Sequence, residues 1–144
     1  MIIVTGASRG IGKAITERLE EKNFRVFKLS RSINVDPDKG INCDVSDFES
    51  FKNAAKKIKK MGEKIDVVIN AAGVSSMNAA VMTNNFTTDN IIKTNLNGTI
   101  YSCQLFTPIM LRYKSGLFIN FSTIAVPLAL QGESIYSASK AGVE

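Results

Sequence analysis

The sequence predicts a doubly wound α/β fold, on three observations. Short β-branched or apolar runs alternate with stretches of helical period along the 144 residues. Those runs are apolar almost throughout rather than at alternate positions, as parallel strands covered on both faces are. A glycine-rich segment, TGASRGIG at 5–12, falls where the first strand gives way to the first helix.

Taken in order, IIVT (2–5) reads as the first strand, and Ile11, Ala14, Ile15 and Leu19 mark the apolar face of the first helix. RVFKL (25–29) and INC (41–43) are the second and third strands. Only SRSINVDPDKG lies between them, with Pro37 and Gly40 as breakers, which predicts a loop or a single turn in place of a crossover helix. Phe48, Phe51, Ala55, Ile58 and Met61 recur at helical spacing and set the second helix, which starts at Ser46 or Asp47. DVVIN (66–70) is the fourth strand and LFINF (117–121) the fifth, with a long helix between them from about Asp89 to Tyr113. Pro108 removes a backbone donor inside that helix and should kink it or end it early. No repeat, low-complexity segment or linker divides the chain, so residues 1–144 are expected to form one domain.

Composition narrows the chemistry. An apolar content of 44% and a charged content of 22% match a globular protein. Cys43 and Cys103 have no CxxC spacing and suggest two buried thiols rather than a zinc site or a disulfide. The absence of histidine excludes the Ser-His-Asp triad, the Cys-His dyad and every histidine-based metal site. Acid-base chemistry must therefore use another group. The net charge is +5, and KKIKK at 56–60 is the densest basic cluster. Its lysines form the polar face of an amphipathic helix with no interleaved aromatics, so no nucleic-acid partner is expected. No leader pattern and no apolar run of about 18 residues appears, so no membrane association is expected and the protein is read as cytoplasmic.

Two segments carry function. In TGASRGIG, Gly6, Gly10 and Gly12 let the backbone turn tightly and approach a pyrophosphate, whose charge is favoured at a helix N-terminus. In SIYSASK, Tyr136 and Lys140 lie one helical turn apart on one face. A free phenol titrates near 10, too high for efficient acid-base work at neutral pH, and a neighbouring ammonium favours the phenolate.

These two segments, with NAAG at 70–73 and Asn95 in TNLNG, resemble the ordered signature of the short-chain dehydrogenase/reductase family over nearly the whole chain. The resemblance implies a Rossmann-type domain that binds NAD(P) through Gly6, Ser8, Arg9, Gly10, Ile11 and Gly12. It places Asp44 and Val45 at the adenine, Asn70, Ala71 and Gly73 along the cofactor, and Lys140 on the nicotinamide ribose. About 20 residues beyond the glycines, where NAD enzymes place a carboxylate, stands Ser30, followed by Arg31. Arg31 and Arg9 could clamp a 2′-phosphate, so the expected cofactor is NADP(H). Asp44 also reads as a loop or helix-capping carboxylate.

By resemblance, Tyr136 donates a proton to a substrate carbonyl as hydride arrives, and Asn95 holds a water of the proton relay. The family's catalytic serine falls, in an ungapped register, on Thr123, with Ser122 beside it. Threonine keeps the hydroxyl but adds a methyl that restricts it. The pattern looks most like 3-oxoacyl-(acyl carrier protein) reductases and related carbonyl reductases, which implies a small-molecule or acyl-thioester carbonyl substrate. Family members continue beyond this motif, so the chain is expected to be part of a longer polypeptide. Its sheet should have about five strands in the order 3-2-1-4-5, with the last strand an unpaired edge. The complete protein is expected to be a homo-oligomer. The alternative is a truncated, non-catalytic dinucleotide-binding or interaction module, which would bind NADPH without oxidising it.

Overall fold

In the computed structural model, which describes residues 1–144, β1 (Ile2–Thr5), β2 (Val26–Ser30), β3 (Gly40–Asn42), β4 (Val67–Asn70) and β5 (Leu117–Asn120) pair in parallel. Their spatial order is β3-β2-β1-β4-β5, as expected, with β5 at an edge. Because the side chains of a strand alternate between faces, each strand feeds two cores. Ile2, Val4, Val26 and Ile69 pack on one face, beneath Ile15 and Leu19 of α1 (Gly10–Glu21). Ile3, Phe27, Leu29 and Val68 pack on the other, with residues of α2 (Phe48–Lys60) and α4 (Gly98–Leu111). Both faces being covered, near-continuous apolar strands are what this sheet requires.

The larger core is centred on Phe51 of α2 and Phe106 of α4, both fully buried, with ring centroids 5.8 Å apart in an edge-to-face arrangement. Truncating either to Ala removes about 3–5 kcal/mol, the usual cost of emptying a buried aromatic site. Asp47 caps α2, its carboxylate accepting from the N–H groups of Glu49 and Ser50. The segment joining β2 to β3 is a loop, as Pro37 and Gly40 predict.

Two helical expectations are corrected. The long helix starts earlier than Asp89, at α3 (Asn85–Ile91), because Asn84 caps it by accepting from Thr87 N at 2.8 Å. It then passes through a π turn, Ile92–Asn97, before continuing as α4. Pro108 does not end it: α4 runs on to Leu111, since buried Phe106, Ile109 and Met110 hold the last turn in place. Ile11 and Ala14 are also corrected: both are exposed, Ile11 by 63%, and Gly12 and Thr16 take the buried side of α1 instead.

Cys43 is buried, and burial, reinforced by the Asp44 charge, pushes its thiol up to about 12. Cys103 is only half-buried, contrary to expectation, because it lies on a less covered side of α4. Two short helices complete the chain, α5 (Ala125–Leu128) and α6 (Ser134–Ala141). No helix is long and apolar enough to cross a membrane.

Candidate active site

The strands end in polar residues. Thr5, Ser30, Asn42, Asn70 and Asn120 sit at the carboxyl edge of the sheet, where a doubly wound fold opens a crevice between the strands flanking the reversal of order. Here that reversal lies between β1 and β4. Asn70 Nδ2 donates to Asn120 Oδ1 at 2.8 Å, and Ala72 N donates to Thr5 Oγ1 at 3.1 Å, so the crevice floor is cross-linked.

A cavity of about 500 Å³ fills this crevice. Gly6, Ser8, Arg9, Gly10 and Ile11 form one part of its wall, and Ser30, Arg31, Asp44 and Val45 another. Ala71, Gly73, Tyr136 and Lys140 form a third. The sequence thus identifies most of the wall. Gly12, Asn70, Asn95 and Thr123 are not on it. Gly12 lies directly under the loop, where a Cβ would stand 2.4 Å from Gly6 O. Asn95 stands behind Gly73, its Oδ1 3.5 Å from where a Gly73 Cβ would be. Wall residues that sequence reading missed include Ser32, Thr94 and Phe121, none of which carries a local motif of its own.

The arrangement fits a dinucleotide. No side chain caps the start of α1, and Gly10, with φ +55°, leaves open space where a side chain would stand. An uncapped helix start facing an open cavity is an anion site, since its N–H groups lack partners and its dipole is positive there. Ser30 Oγ donates to Ser32 O at 3.1 Å, which holds Arg31 between two fixed residues at the cavity wall. Asp44 Oδ1 accepts from both the N–H and the hydroxyl of Ser46, so this carboxylate shapes the loop as well as lining the cavity.

The other end is built by α6. Lys140 is 6% exposed, and its Nζ donates to Phe121 O at 2.7 Å. An ammonium carries three donors, of which that carbonyl takes one. Burial lowers the Lys140 pKa from 10.5. Tyr136, half-buried, lines the same part of the cavity. Ser122 also lines it and donates to the Glu144 carboxylate, whereas Thr123 Oγ1 accepts from Ala125 N at 3.3 Å.

The whole chain, residues 1–144, matches the short chain dehydrogenase family. The chain belongs to that family. Among short-chain dehydrogenase relatives it is similar to the 3-oxoacyl-(acyl-carrier-protein) reductase FabG of Staphylococcus aureus (strain Mu50 / ATCC 700699). The two are 32% identical, over 98% of this chain and 63% of that protein. It is equally similar to carbonyl reductase family member 4 of Xenopus laevis, 32% identical over 97% of this chain and 63% of that protein. The chain therefore spans less than two thirds of the length of these curated relatives. The ligand-free structure of Thermoplasma acidophilum aldohexose dehydrogenase superposes with a TM-score of 0.90 at 31% identity, covering 99% of this chain and 56% of that one. A metagenomic short-chain oxidoreductase in complex with NADP gives 0.90 at 27% identity, covering 99% and 71%.

The depressed Lys140 pKa makes a signed prediction for this short-chain dehydrogenase. Between its folded value and 10.5 the unfolded chain binds more protons, so this lysine favours the folded state increasingly as pH rises and opposes it most below that window. Lys140→Met removes that charge, so its stability relative to wild type is expected to be greatest at neutral pH and to fall as pH rises toward 10.5. The same variant should bind dinucleotide more weakly, and thermal melts beside a binding titration check both signs.

Proposed function

We propose that the chain carries the NADP(H) site and the acid-base pair of a reductase that converts a ketone or aldehyde to an alcohol. The observation that carries this reading is that one cavity joins the uncapped start of α1, with Arg9 and Arg31 beside it, to Tyr136 and Lys140. Arg9, Arg31 and the first turn of α1 bind the phosphates. Gly73, Ala71 and Val45 offer a low wall against which a flat ring can lie, and Lys140 uses its remaining donors on ribose hydroxyls. When bound, the nicotinamide supplies the hydride. Tyr136 delivers the proton to the carbonyl oxygen, and the Lys140 ammonium stabilises the phenolate that remains. Asn95 contributes to the proton relay, and Thr123 orients the carbonyl.

The likeness to a 3-oxoacyl-(acyl-carrier-protein) reductase and to a carbonyl reductase supports an acyl-thioester or small carbonyl substrate. Exposed Ile100 and Leu111 on α4 support a homo-oligomer for the complete protein.

Titrating NADPH and NADH into the protein by fluorescence, then adding a 3-oxoacyl thioester, tests the reading. NADPH is expected to bind at least about tenfold more tightly, since a charge-assisted bond is worth roughly 1.5–3 kcal/mol. Arg31→Asp should reverse that preference. Tighter binding of NADH by the wild-type chain overturns the roles of Arg9 and Arg31, and NADPH binding without oxidation overturns the catalytic part.

A further inference from the structure

The buried polar groups behind the cavity form a chain of which the proposed chemistry uses only Asn95. Asn95 Oδ1 accepts from Val74 N at 2.8 Å, and its Nδ2 donates to Val74 O at 2.9 Å and to Ser139 Oγ at 3.0 Å. Ser139 Oγ in turn donates to Tyr136 O at 2.7 Å. Asn95 and Ser139 are 1% and 0% exposed, so neither exchanges these partners for water. The π turn accounts for the arrangement. One extra residue in the turn re-aims the side chain it carries, and here Asn95 occupies a turn packed against α6.

We propose that Ser139 is a positioning residue. Its hydroxyl is the link through which Asn95, and behind it the loop after β4, fixes the turn of α6 that carries Tyr136 and Lys140. Two consequences of this packing point this way. A serine bonding back to the carbonyl three residues earlier bends a helix locally and so sets its rotation. The same turn places Lys140 Nζ 3.9 Å from where a Gly73 Cβ would stand, against the segment that Asn95 anchors. The role rests on the reading of Tyr136 and Lys140 as the reacting end of the site. Asn95 and Ser139 form a fully satisfied network, which is rigid and, if half-broken, costs more than its share of contacts.

The test is Ser139→Ala, with Ser139→Cys as a second variant that keeps a weak donor in the same space and Ile58→Val as a control for lost stability in the core beneath α2 and α4. Lys140 is followed by NMR through its Cε and Nζ resonances, and NADPH affinity by fluorescence. Ser139→Ala is expected to move the Lys140 titration upward toward 10.5, as water reaches the loosened turn. It should also weaken NADPH about fivefold, the worth of one hydrogen bond. Ser139→Cys should show smaller changes in the same directions, and Ile58→Val neither. If Lys140 titrates as in wild type in Ser139→Ala, or in Ser139→Cys should the Ala variant fail to fold, the positioning role is overturned. A wild-type chain that does not bind NADPH removes the dinucleotide reading instead, and the Lys140 titration then decides the role of Ser139 by itself.

Discussion

Replacing Tyr136 by Phe is expected to slow carbonyl reduction by at least about 10²-fold, the low end of what a positioned proton donor contributes. NADPH affinity should stay within about twofold, because a group acting only in the transition state lowers turnover rather than binding. The substitution is conservative in shape. Tyr136 is half-buried, and the bond that holds its backbone, from Ser139 Oγ to its carbonyl, survives. Only the phenol oxygen at the cavity wall is lost. Measuring turnover by NADPH absorbance beside a binding titration separates the two effects. A Phe variant that turns over at the wild-type rate would remove Tyr136 from the chemistry.

The third hydroxyl is decided in the same assay. Ser122 is on the cavity wall, yet its hydrogen is given to the Glu144 carboxylate. Thr123 is off that wall, yet it accepts from Ala125 N and gives its own hydrogen to no protein group, which leaves that hydrogen free for a substrate carbonyl. Thr123→Ala should therefore lower turnover by more than Ser122→Ala does, and loss confined to the Ser122 variant would reverse the assignment.

Much of this site was legible in the residues because its parts are local. A glycine loop between strand and helix, a Tyr/Lys pair one turn apart and a run of apolar strands each announce themselves within a few positions. The features that escaped are those set by tertiary contacts. Nothing around Ile92–Asn97 marks a π turn. It is stabilised by Asn95 reaching Val74 and Ser139, which lie on other segments. Pro108 predicted a kink or an early helix end from backbone chemistry alone, and burial of its neighbours carries the helix on to Leu111. Ile11 fitted the helical period, but close packing of α1 on the loop allows only glycine at position 12 and turns Ile11 toward the cavity.

The glycines of that loop give the second large effect, because their side-chain space differs. At Gly12 a methyl group would lie 2.4 Å from Gly6 O, 2.8 Å from Gly6 C and 3.2 Å from Thr5 O. All three are backbone atoms, so no side chain can rotate away and α1 must move off the loop. Gly12→Ala is expected to cost about 3 kcal/mol or more, the upper range for overpacking a rigid site. It should also abolish dinucleotide binding, since the helix start is displaced. At Gly10 the methyl would meet nothing within 4 Å. The cost there is the left-handed backbone, about 1–2 kcal/mol for a residue with a Cβ. The Gly10 methyl would nevertheless project into the space at the start of α1 that the proposed pyrophosphate needs. Gly10→Ala should thus melt within a few degrees of wild type and still fail to bind NADPH, whereas Gly12→Ala loses both stability and binding. Thermal melts and NADPH titrations on the two variants distinguish a loop built to receive a phosphate from one that is merely tightly packed. Wild-type affinity in Gly10→Ala would show that the open space at the helix start is not where the phosphate binds.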